Sequence, residues 1–164
     1  MKFNLIENIS IATATIALGI MAGFFWTYTF NVNLAMLNVD GKTYAEVQSL
    51  FNENVRHFMF FAFFFGAGAI SFLAAAINYR HIGHISFWLI SIAALIYILG
   101  IIVFTAKVNL PLNYYTESWN PSDLPVDWEM VRDSWNQANT IRVATSFTAF
   151  VLGVCALCVR CSTK

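Results

Sequence analysis

Trp128, Arg132, Trp135, Asn139 and Arg142 recur at helical spacing, which sets two indoles, two guanidinium groups and a carboxamide on one stripe. The stripe continues as Ser146, Ala149 and Gly153, small residues suited to close helix contact in lipid. A second group, Asn109-Leu110-Pro111-Leu112-Asn113, ends an apolar run that begins at Leu95. Proline cannot continue a helix and biases the residue before it toward extended geometry. An extended segment would turn Asn109, Pro111 and Asn113 the same way, presenting two carboxamides side by side. Indole faces, carboxamides and guanidinium groups together can hold and orient a ligand. A third stripe, Asn54, His57, Phe61, Phe64, Gly68 and Phe72, brings a histidine beside Arg56 at the start of a phenylalanine-rich run. That run, with Phe60, Phe61, Phe63, Phe64 and Phe65, suits either the wall of a flat aromatic pocket or contact with lipid.

The elements that must position these residues follow from composition. The chain has 164 residues, of which 59% are hydrophobic and 11% charged, and its mean hydropathy is +0.63. Soluble domains carry about a quarter charged residues. Ile9–Phe30, Phe58–Ile77, Ile85–Ala106 and Val143–Val159 are apolar windows long enough to cross a bilayer, a span needing roughly 20 residues. In lipid each segment must satisfy its own backbone, so the expected fold class is all-α: one integral membrane domain over residues 1–164, a four-helix bundle with two longer connections. The first window exceeds the length of a signal-peptide core and three more follow it, so it reads as a span. Nothing suggests a nucleic-acid partner.

Charge sets the expected orientation. Asp40, Glu46, Glu53, Glu117, Asp123, Asp127, Glu129 and Asp133 all lie in the connections 31–57 and 107–142. The short connection 78–84 carries Arg80 and no acid, while Lys2, Arg160 and Lys164 mark the ends. The positive-inside rule then puts both termini in the cytoplasm and the two long connections outside, the membrane being the inner one if the chain is bacterial.

Other motifs carry less. Gly19 and Gly23 form a GxxxG pair, read as packing within the bundle. His81 and His84 lack a nearby Cys, Asp or Glu to complete a metal shell and read as a polar turn. Cys155, Cys158 and Cys161 read as small packing residues or exposed thiols, so no metal site is expected.

Leu95–Asn113 with its Thr-x-x-x-Asn-x-Pro-x-Asn ending, followed by Arg132-x-x-Trp135-x-x-x-Asn139-x-x-Arg142, resembles the anthrone oxygenase-like family of small four-helix membrane proteins. Ala22-Gly23-Phe24-Phe25 and Val47-Gln48-x-x-x-Asn52 resemble its other landmarks, and His57 stands where a further asparagine would be expected. For some members the resemblance implies oxidation of a polyketide anthrone to an anthraquinone by oxygen, with no metal or flavin cofactor. Such chemistry asks for a base, donors to a developing oxyanion and a dry aromatic slot. The resemblance then points to His57 as base and to Arg142, Asn109 and Asn113 as donors. Asn52, Arg132, Trp135, Asn139 and Phe61 would bind the substrate.

Alternatives stay open on the residues alone. Arg142 could clamp carbonyls freed by Pro111, and the asparagines could cross-link the outer loops. The chain could also be an accessory subunit of a larger membrane complex, a homo-oligomer, or a bundle holding a quinone or lipid. Haem fits worst, because His57 is the sole histidine on its side of the bilayer.

Overall fold

The computed structural model describes residues 2–162, and they form a helical bundle. α1 (Leu5–Thr27) runs through a π-helical turn at Tyr28–Val32 into the short α2 (Asn33–Met36). α3 (Gly41–Asn54) lies across that end of the bundle, and α4 (Phe58–Ile77) returns. α5 (Ile85–Tyr97) goes up again through π turns at Ile98–Val103 and Thr105–Asn109 into α6 (Leu110–Glu117), and α7 (Trp128–Cys161) comes back. Four of the resulting helices, Leu5–Met36, Phe58–Ile77, Ile85–Glu117 and Trp128–Cys161, are long and apolar enough to cross a membrane.

Three of these helices outrun the hydropathy windows, because the windows end where polar side chains begin whereas the backbone ladder continues. The starts are set by side chains that take up orphan amides. Asn4 and Glu7 cap each other's backbone N–H reciprocally at the head of α1, in a capping box. The Asp40 carboxylate accepts from the Thr43 N–H at 3.0 Å and opens α3.

Two local expectations are corrected. Asn109–Asn113 is helical, not extended. Pro111 falls in the first turn of α6, directly after the π turn, where a helix start tolerates a missing N–H. The stripe from Asn54 into α4 is not continuous either. Helix breaks between Asn54 and Phe58, so Asn54 and His57 are both exposed and the helical phase restarts at Phe58.

The main core is built from Ile11, Leu18, Phe25, Phe64, Ile90, Tyr97 and Ile101 with many alanines between the four long helices. Small residues let the backbones approach. A Cβ on Gly153 would lie 2.7 Å from Thr15 Oγ1, one on Gly19 2.9 Å from Phe150, and one on Gly100 would run into Thr145 Cγ2. Gly23, the other half of the GxxxG pair, has open space instead. We therefore expect Gly153→Val to cost roughly 1–3 kcal/mol of bundle stability by overpacking, while Gly23→Ala leaves the detergent unfolding midpoint unchanged or raises it. Equal midpoints for Gly153→Val and the parent would refute that packing argument. A smaller cluster of Met36, Tyr44, Ala45, Trp119 and Val131 fixes α3 over the loop end.

The terminal end is tied by a polar network. Arg160 donates to Ser86 Oγ at 3.0 Å, Asn8 Oδ1 at 3.0 Å and Asn78 Oδ1 at 2.6 Å, and it stacks over the Phe3 ring. Beside it His81 Nε2 meets Glu7 Oε2 at 3.0 Å. His84 accepts from the Ser86 N–H to start α5. Burial, with the Arg160 charge second, holds His84 below the ordinary histidine range, which keeps its Nδ1 available as an acceptor.

Candidate active site

Among the cavities of the described residues, one of about 270 Å³ lies beneath α3 at the loop end. That is near the lower end of small-molecule pockets, about 300–1,000 Å³. Phe24 and Tyr28 come from α1 and its π turn, Phe51 and Asn52 from α3, and Phe60, Phe61, Phe64 and Phe65 from α4. Thr105, Leu110, Asn113 and Tyr114 face them from the π turn and α6, and Trp135, Asn139 and Arg142 from α7. Two of the three π turns, Tyr28–Val32 and Thr105–Asn109, thus contribute a polar liner at the same level. π turns are rare and frequently sit at functional sites.

Arg142 is 8% exposed and stands at the centre of the polar side. Its guanidinium lies 4.8 Å from the Phe25 ring centroid and 5.6 Å from that of Trp135. It donates to Asn139 Oδ1 through one terminal nitrogen, and Asn139 Nδ2 donates in turn to Thr29 Oγ1 at 2.6 Å. Both ends of that carboxamide are used, so Asn139 holds the arginine rather than offering itself to a ligand. Arg142 Nε has no partner, nor has the Thr105 hydroxyl. Among the described residues no carboxylate is within ion-pair distance of Arg142.

Trp135 Nε1 donates to Asn113 Oδ1 at 2.6 Å, locking indole and carboxamide together across α6 and α7. A second chain runs from the Tyr28 hydroxyl to Gln48 Oε1, from Gln48 Nε2 to Asn52 Oδ1 and from Asn52 Nδ2 to Thr116 Oγ1, at 3.4, 3.2 and 3.3 Å. It pins the buried face of α3 to α1 and α6.

Of the residues singled out in the sequence, Asn52, Phe61, Asn113, Trp135, Asn139 and Arg142 come together around the cavity. Three do not. His57 is the N-cap of α4, exposed, its Nδ1 facing the Phe60 N–H at 3.4 Å; its neighbour Arg56 lines the cavity instead. Arg132 lies on the right stripe but at the wrong height, about 15 Å along the axis from Arg142. There it bonds Asp133 and stacks on Trp128. Asn109 is wholly buried off the lining, with neither side-chain atom hydrogen-bonded. Tyr28, Arg56, Thr105 and Tyr114 are polar liners that the sequence reading did not single out as site residues. Tyr28 resembles an ordinary interfacial aromatic, and nothing in sequence marks a π turn. Among the described residues no three His, Cys, Asp or Glu side chains gather as a metal shell.

Fold and site together define a membrane-spanning four-helix bundle that encloses an aromatic cavity around a buried arginine. The model of the anthrone oxygenase family matches residues 48–152, and the chain belongs to that family. No curated protein and no solved structure matches it.

Proposed function

We propose that the cavity binds a flat, ionisable aromatic molecule as its anion against Arg142, and that dioxygen oxidises this anion as in the conversion of an anthrone to an anthraquinone. The observation that carries the reading is the buried guanidinium with a neutral carboxamide as its hydrogen-bond partner, an unpartnered Nε and no counter-charge among the described residues. A buried charge without a partner is costly, and an anionic ligand would remove that cost. The aromatic wall suits a flat ring system.

In this reading the ring CH₂ of an anthrone loses a proton, and the charge moves onto the carbonyl oxygen beside Arg142. Holding that oxygen lowers the acidity barrier, so the proton can leave to water; the cavity lining contains no Asp, Glu or His to take it. The carbanion transfers an electron to dioxygen, the two radicals join at carbon as a peroxide anion, this takes a proton back from water, and the resulting hydroperoxide loses water to leave the second carbonyl. One oxygen atom ends in the product and the other in water. Arg142 contributes by preorganised stabilisation of developing charge, and Asn139 by fixing its direction.

The purified protein in vesicles should consume one dioxygen per 1,8-dihydroxyanthrone and form the anthraquinone well above the spontaneous rate. It should keep that rate after treatment with chelators. Oxygen uptake no faster than in protein-free vesicles, across a panel of acidic anthrones and phenols, would sink the proposal.

A further inference from the structure

The two boundaries of the cavity are built differently. At the loop end it is roofed by α3, which is held down by the Gln48–Asn52–Thr116 chain and by Tyr44 packed among Trp119 and Trp128. The remaining corner is closed by an ion pair between Arg56 and Glu117, with the same guanidinium 5.6 Å from the Tyr114 ring centroid. A ligand arriving from water would have to part charged and hydrogen-bonded groups on two elements. Phe51 is the one half-exposed ring in that roof, and it sits beside tied neighbours.

The side wall has no ion pair among the described residues. α4 is tied to the neighbouring helix by the Tyr97 hydroxyl, which donates to the Phe64 carbonyl, and packs closely at Gly68, where an added Cβ would lie 2.9 Å from Ile102. Beside that tie the cavity is flanked by Phe61 and Phe65 on one side and by Thr105, Leu110 and Tyr114 on the other. Phe61 is 41% exposed, Phe65 51% and Tyr114 60%, although all three line the cavity. These are the three most exposed rings of the lining, above Phe24 at 39% and Phe51 at 38%, and they lie on the one flank between α4 and the Thr105–Tyr114 stretch. The exposed face around these rings is apolar and continues along α4 through Phe58, Phe72 and Leu73, on a helix long and apolar enough to lie in lipid. Tyr114 and Tyr115 mark the interfacial level, and Phe65 sits in α4 below its start.

We propose that the cavity is loaded sideways from the bilayer, through the slot between Phe61 and Phe65 of α4 and the stretch from Thr105 to Tyr114. Its substrate is then a lipid-dissolved flat aromatic whose ionisable oxygen turns inward to Arg142. The proposal rests on the site reading above. The Arg56–Glu117 pair acts as a closed latch on the aqueous side.

The test uses the full chain in phosphatidylcholine vesicles with 1,8-dihydroxyanthraquinone, a non-turning-over probe, followed by quenching of tryptophan fluorescence. Association and dissociation rates are measured for the parent and for Phe65→Ala, Phe65→Trp, Phe61→Trp and Glu117→Ala. Widening the slot with Phe65→Ala should speed both association and dissociation several-fold, and either tryptophan should slow both rates about tenfold. Glu117→Ala should leave both rates within twofold. Exchange that ignores Phe61 and Phe65 but accelerates in Glu117→Ala would overturn lateral loading, as would exchange insensitive to all four changes. Arg142→Gln separates the two readings. If it abolishes probe binding, the site stands whatever the slot variants show; if it binds like the parent, or the parent does not bind, the site reading fails and the slot falls with it.

Discussion

Arg142→Ala is expected to lose roughly a hundred- to a thousandfold in rate on an anthrone-type substrate, the equivalent of about 3–4 kcal/mol for one preorganised donor to a developing oxyanion. The bundle should still assemble. The variant removes a buried charge that has no counter-ion among the described residues, and the desolvation cost of that charge disappears with it. What remains is Asn139 Oδ1 without its donor, a loss of about 1–3 kcal/mol. Asn139 still bonds Thr29, which limits the rearrangement. His57→Ala is the contrast: an exposed N-cap histidine off the cavity lining should change the rate little and cost about 1 kcal/mol in helix capping at most. Rates for both variants would be measured beside thermal unfolding in the same detergent. An Arg142→Ala protein that is folded and as fast as the parent would remove the guanidinium from the chemistry. A His57→Ala protein that is folded but a hundredfold slower would restore the histidine as a base.

The membrane fold was legible because lipid demands long apolar windows, and four of them stand out in the chain. The site was legible in part, and the misses share a cause. Helical spacing fixes which face a residue occupies but not its height. Arg132 and Arg142 share a stripe, yet only Arg142 is level with the rings of α4 and the π turn at Thr105. His57 and Arg56 are sequence neighbours, and the break between α3 and α4 decides which of them faces inward. No composition rule locates that break to a single residue. Pro111 read as the end of a helix because proline usually is, and the π turn before it has no residue signature that would have said otherwise. Trp135, Asn139 and Arg142 share one stripe in the sequence, while their partner Asn113 stands on a separate segment. Which atom meets which depends on the helix register that those π turns set.

The largest stability effect should come from the opposite end of the molecule. Arg160 ties three of the long helices and the turn after α4 into one network, through Asn8 on α1, Ser86 on α5 and Asn78 at the end of α4. Asn78 and Ser86 are wholly buried, and Asn78 also donates to the Ala74 carbonyl and to Ser10 Oγ. Unlike Arg142, this arginine has every guanidinium nitrogen engaged, so its removal strands acceptors rather than relieving a charge. Each buried acceptor left without a donor costs about 1–3 kcal/mol, and the lost packing of Phe3 over the guanidinium adds to it. Arg160→Ala should therefore lower stability by about 2–5 kcal/mol. Arg160→Lys should recover only part, because an ammonium on one stem cannot present the same fork to three acceptors on different helices. Denaturation midpoints in mild detergent, taken with helical content and probe binding at Arg142, measure this directly. An Arg160→Ala protein with an unchanged midpoint would show that helix packing alone holds the terminal end together. A lowered midpoint with probe binding intact below the transition would show that the arginine at one end serves stability and the arginine at the other serves the ligand.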